Sequence, residues 1–194
     1  SKREDIRVAI QQDAQWHQRT IFTINAVLSA SLGLFCACIW WMRRQESALG
    51  WYVVASMSWL AFLYNILATE TGPFPNAGMF FQSHIMAFVL YIWGFCIYSW
   101  RYVLYANQRL QQVLNLITIV MIAFIWLMPL QYQALNLSAI FLTCVLILNA
   151  NGVCISILGW RSRELESKLL AITLMTCILL AVLSLLGFYQ IVDV

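Results

Sequence analysis

Two histidines, His17 and His84, and six cysteines are the side chains here with the strongest chemistry of their own. A membrane di-haem cytochrome needs four axial histidines, so the count excludes it. A retinal-type Schiff base needs a lysine deep in a helix, and Lys2 and Lys168 both fall near the edges of apolar runs. The cysteines are Cys36, Cys38, Cys96, Cys144, Cys154 and Cys177, with no C-x-x-C pair among them. Cys36 and Cys38 point to different sides of one helix, and all six read as small apolar packing residues. No G-x-S-x-G turn, H-E-x-x-H helix or Gly-rich phosphate loop is present. The sequon at Asn136-Leu137-Ser138 lies too close to an apolar run to serve as a glycan acceptor. The sequence therefore points to no catalytic residue, no metal and no cofactor.

Polar residues inside apolar runs are more informative, because lipid makes them costly and turns them inward. Asn25, Asn65, Glu70, Gln82 and His84 fall near the same end of three consecutive runs. Gln131, Gln133, Asn136, Tyr189 and Gln190 could stand opposite them. One reading is an outward-facing polar pocket for a ligand, with Glu70 as its anion and His84 as a hydrogen-bonding or pH-responsive group. The other is a set of interhelical hydrogen bonds worth about 1 kcal/mol each. A second layer, Asn115, Asn149 and Asn151, reads as helix glue. Ala26, Ser29, Ala30 and Gly33 recur at helical spacing and would let a neighbouring helix approach closely. That neighbour is another helix of the same bundle or, alternatively, a second copy of the chain in a homodimer. Thr71-Gly72-Pro73-Phe74-Pro75-Asn76 is a rigid turn that could lid the pocket.

The elements that must position these residues follow from composition. Of 194 residues, 62% are hydrophobic and 10% charged. A soluble domain averages about half and about a quarter, so a single soluble core is excluded. A formal charge of +3 spread along the chain makes no basic face for nucleic acid. Six apolar runs, near 21–42, 47–68, 79–100, 112–130, 134–159 and 168–189, are each long enough to cross a core about 30 Å thick. The expected fold is all-α: a polytopic membrane helical bundle of six spans, residues 21–194, with the bilayer as its main partner. Short connections make consecutive helices antiparallel neighbours. Residues 1–20, polar and Gln-rich, read as a lead-in helix.

Arg43, Arg44, Arg101, Arg109, Arg161, Arg163 and Lys168 all fall in the first, third and fifth connections, and the second and fourth carry no Lys or Arg. Basic short loops mark the cytoplasmic side, which puts the N-terminus outside. Trp41, Trp100 and Trp160 each stand just before such an arginine, an indole for the headgroup layer and a charge for water. These six residues and Arg44 are the expected cytoplasmic anchors.

The wording Trp40-Trp41-Met42-Arg43-Arg44-Gln45-Glu46, then Gly50-Trp51-Tyr52, Trp59 to Asn65, and Pro73-x-Pro75, resembles the bacterial seven-transmembrane receptors with diverse intracellular signalling modules. In them a first helix ends in W-x-R-R-x-E, and a second opens on aromatics and closes near R-N or Y-N. Gly50 stands where that pattern has Tyr. The resemblance implies the sensory part of a histidine kinase or diguanylate cyclase of the bacterial inner membrane. It implies an unknown extracytoplasmic ligand or protein as signal, and a seventh helix after Val194 leading to a cytoplasmic output domain. A small transporter or channel, and a structural subunit of a membrane complex, are the alternatives. A membrane-embedded enzyme ranks last, for want of a nucleophile–base or metal set.

Overall fold

A computed structural model describes the backbone of residues 2–67, 77–103, 107–127, 133–162 and 164–192, and the side chains of 20–67, 78–103, 107–127, 139–162, 164–176 and 178–179. The described residues form six helices: α1 (Lys2–Met42), α2 (Ser47–Leu67), α3 (Ala77–Tyr102), α4 (Gln108–Leu127), α5 (Gln133–Arg161) and α6 (Leu165–Val192). Five of these, among the described residues, contain stretches long and apolar enough to span a membrane: Thr20–Met42, Ser47–Leu67, Gly78–Tyr102, Gln108–Leu127 and Ala139–Arg161. The lead-in segment and the first span form one continuous helix.

Helix ends are set by local chemistry. The Asn107 side-chain oxygen accepts from the backbone N–H groups of Arg109 and Leu110 at 3.1 and 3.3 Å, capping α4. Arg101 Nη1 donates to Ser47 Oγ at 2.8 Å, tying the end of α3 to the start of α2.

Paired residues give the register. Trp40 meets Gly50, Gly33 meets Ser56, and Trp59 donates to Asn25, so α1 and α2 are antiparallel. Tyr52 against Tyr98, Trp59 against Tyr91 and Phe62 against His84 make α2 and α3 antiparallel. Phe88 stacks on Phe141 and Trp100 bonds Asn151, so α3 and α5 run parallel. The ends of α1, α3 and α5, with Arg43, Arg44, Arg101 and Arg161, therefore share one end of the bundle.

At the centre stands α3, packed against α2, α4 and α5, while α1 packs on α2 and α6 on α5. In the span of α3 44% of residues are buried, against 6% in α1. Ile85, Phe88, Val89, Ile92 and Cys96 recur every three or four residues along α3 and form the core with Phe62, Leu114, Ile125, Ile140 and Cys144. Large apolar side chains face outward instead: Leu28, Leu32 and Phe35 on α1, Ile119 and Val120 on α4, Leu142 and Leu146 on α5. Such exposure suits lipid and would be unfavourable in water.

One expectation fails. The consecutive helices α4 and α5 share no extensive packing among the described residues; each packs on α3 instead. The buried face of α4 (Leu114, Thr118, Ile125) is used up against α3. The small residues of α5, Gly152 and Gly159, are taken by α6.

The approach of α6 is close. A Cβ placed on Gly159 would lie 2.5 Å from the Ser167 carbonyl oxygen, so Gly159→Ala must push the start of α6 away. The Ser167 carbonyl belongs to the helix backbone and the residue is buried, so it cannot rotate aside. We expect a loss of about 2 kcal/mol, mid-range for overpacking, read as a lowered unfolding temperature in detergent. An unchanged midpoint would mean that the two helices do not touch there.

Candidate functional site

Each polar residue singled out in the sequence has a definite place. Asn25 Oδ1 accepts from the Trp59 indole at 3.1 Å and from Ser29 Oγ, one turn along its own helix, at 3.2 Å. Asn65 is buried on α2, and its amide donates to Ser83 Oγ at 3.5 Å; that hydroxyl in turn donates to the Phe80 carbonyl at 2.7 Å. The His84 ring stacks on Phe62, centroids 4.2 Å apart and planes at 21°. Its Nδ1 is buried and meets no partner among the described residues. Glu70 and the Pro73–Pro75 turn lie outside the described residues, as do the side chains of Gln131, Gln133, Asn136, Tyr189 and Gln190.

Gln82 faces the other way, toward α4, and its Nε2 donates to the Ile125 carbonyl at 3.1 Å. The sequence explains why that carbonyl is available. An α-helical carbonyl is normally taken by the N–H four residues on, and that residue is Pro129, which has none. Gln82 thus closes the end of α4 with a bond from α3.

Beside this bond lies a crevice of about 460 Å³ between α2, α3 and α4, lined by Met57, Ala61, Met79, Gln82, Met86 and Trp126 among others. It exists because α4 packs on α3 and not extensively on α2. Its walls are mostly apolar, with Ser58, Gln82 and Ser83 as polar groups. Asn25, Asn65 and His84 are not among its walls. The polar residues are therefore not gathered around one cavity. Asn25 connects through Trp59 and Phe62 to His84, while Gln82 opens onto the crevice and Asn65 borders it through Ser83.

The inner asparagines make the same kind of contact. Asn115 Oδ1 accepts from the Trp93 indole at 2.8 Å. Asn151 Oδ1 accepts from the Trp100 indole at 2.7 Å and its amide donates to Ser99 Oγ at 3.0 Å. Among the described residues, Asn149 bonds only the Val145 carbonyl of its own helix, at 2.8 Å. Three indole-to-asparagine bonds thus join α1 to α2, α3 to α4 and α3 to α5. The indole donors are what sequence reading missed, since a Trp in a membrane helix reads first as an interface residue. Of the anchors, Trp41 and Trp160 are 70% and 69% exposed, whereas Trp100 is turned inward to Asn151. Arg44 lies over Trp41, 4.7 Å from the ring centroid, and Arg43 pairs with Glu46 at 3.4 Å.

Cys96 and Cys144 are free and buried at 0% and 1% exposure, as packing residues are. Among the described residues no group of three or more His, Cys, Asp or Glu could hold a metal ion. Gly33 of the small-residue face lies against Ser56 of α2, where an added Cβ would come within 3.0 Å of the serine Cβ, whereas Ala30 of that face is exposed. Compared with protein-family models, curated proteins and solved structures, the chain finds no match.

Proposed function

We propose that this chain is a transmembrane sensory module of a bacterial plasma membrane, relaying an extracytoplasmic signal to a cytoplasmic output domain. The basic end would face the cytoplasm, by the loop-charge rule, and the crevice between α2, α3 and α4 would open in the outer half. The observation that carries the reading is the Gln82 bond to the Ile125 carbonyl at the edge of that crevice. A ligand or partner that engages Gln82 competes for this bond and frees the end of α4. Helix α4 is otherwise joined to α3 by apolar packing and the Trp93–Asn115 bond. A signal that prefers the released state shifts the population toward it and moves α4 relative to α3.

The resemblance to seven-transmembrane receptors supports the same reading, and its one departure has a local reason. A Cβ on Gly50 would fall 2.8 Å from Trp40 Nε1, so Trp40 occupies the space that the Tyr of that pattern would fill.

The test begins with the coding sequence past Val194, where a seventh apolar span followed by a kinase His box or a cyclase motif is expected. In that full-length protein, Gln82→Leu and His84→Phe are expected to change the output about tenfold, within the usual range of coupling free energies, at unchanged amounts of folded protein. A stop codon just past Val194, or wild-type output from both variants, would overturn the proposal.

A further inference from the structure

A second groove lies at the basic end, where α5 finishes and α6 begins. It encloses about 480 Å³ and is walled by Ile157, Trp160 and Arg161 of α5 and Ile172, Met175 and Thr176 of α6, with Ser156 and Ala171 at its floor. Its hydroxyls are already engaged. Ser156 Oγ donates to the Gly152 carbonyl at 2.7 Å and lies 3.3 Å from the Ala171 carbonyl. Thr176 Oγ1 donates to the Ile172 carbonyl at 2.9 Å. What is left to meet a ligand is an apolar trough with one cation at its mouth. Arg161 is exposed at the end of α5, and among the described residues it makes no ion pair.

The nearby carboxylates stand outside the walls of the groove. Glu164 and Glu166 are close enough to Tyr102, at the end of α3, to act on it electrostatically, and neither lines the groove. Lys168, in the first turn of α6, adds positive field on the same end of the bundle. In the headgroup layer, Trp160 supplies the amphipathic ring that an interface favours.

We propose that this groove is a binding site for an anionic phospholipid, its phosphate on Arg161 and an acyl chain along Ile157, Ile172 and Met175. The charge pattern selects this occupant. A lipid carries an anion and an apolar chain in the order that the groove presents a cation and an apolar trough, and basic clefts between membrane helices recognise headgroups this way. Another helix or a second copy would be held by close packing of small residues, and the rim offers Ile157, Ile172, Met175 and Trp160 instead. The inference goes beyond the sensory reading and does not depend on it.

The experiment is native mass spectrometry of the full chain released from mixed phosphatidylglycerol and phosphatidylcholine micelles. One arginine at a membrane surface should favour the anionic lipid about fivefold. Arg161→Gln, at an exposed position, should bring that preference close to parity. Ile172→Trp, at a 51% exposed position on the rim, should fill the trough and reduce retention of both lipids. Inorganic phosphate should not displace the lipid, because it lacks the chain. Unfolding midpoints like wild type would show both variants folded. An undiminished preference in Arg161→Gln, unchanged retention in Ile172→Trp, or displacement by phosphate alone would overturn the proposal. So would a crosslink from Ile172→Cys to another span or a second copy.

Discussion

Gly94→Val is expected to destabilise the bundle by about 3 kcal/mol or more, the upper end for overpacking. A Cβ built on Gly94 already meets the Ala55 backbone nitrogen at 3.2 Å and its Cα at 3.3 Å. Those atoms belong to a helix backbone and cannot rotate away as a side chain would. Valine adds two methyl groups on a branched, stiff Cβ, so α2 and α3 must separate along their whole contact. That contact carries the aromatic seam of Trp51 on Trp93, Tyr52 on Tyr98 and Trp59 on Tyr91. Reversible unfolding in mixed micelles would measure the loss, with Gly94→Ala falling between wild type and the valine variant. Equal stability of Gly94→Val and wild type would mean that the two helices are further apart than described.

Asn151→Leu is expected to cost about 2–4 kcal/mol, from the penalty for leaving buried polar partners unmatched. Asn151 is 7% exposed and Ser99 0% exposed. The leucine removes both the acceptor of the Trp100 indole and the donor to Ser99 Oγ. Ser99 keeps its own bond to the Cys96 carbonyl at 2.9 Å, so the indole suffers most. Asn149→Leu, two residues away, breaks only a bond within α5 and should cost less than about 0.5 kcal/mol. Removing the indole's need as well, in Trp100→Phe with Asn151→Leu, should recover part of the loss. Similar effects at positions 149 and 151 would refute the assignment.

The contrast between Asn149 and Asn151 marks how far the sequence could be read. Helix positions were legible because apolar runs about 20 residues long are set by bilayer thickness, and α2 begins and ends within a residue of its expected range. Both asparagines read as glue, because polarity inside an apolar run implies a partner. It does not say which face the side chain leaves by, and about 200° of rotation around α5, two residues at about 100° each, separates a bond to α3 from a bond within α5. The same limit explains Trp100. Position before an arginine marked it as an interface ring, but its partner is 51 residues further along the chain, beyond any local pattern.

The outer cluster shows a second limit. Depth along the helix follows from where each apolar run begins and ends, which is why Asn65, Gln82 and His84 are expected near one level. Direction around α3 was not, and it sends His84 to Phe62 and Gln82 to Ile125. The Pro129 signal was present, and it could have indicated that Ile125 needs a donor from another helix. What no pattern reported was the separation of α4 from α5, because connection length constrains only where a helix starts.

That separation of 51 residues between Trp100 and Asn151 also sets a clock. A ribosome adds about 5–20 residues per second, so the indole waits about 3–10 s after synthesis for its acceptor to be made. During that time α2 and then α4 can pack on α3, but the side that will meet α5, with Ser99 and Trp100, is open to whatever surrounds the growing chain. The protein is thus built around a helix that must be inserted early and completed late.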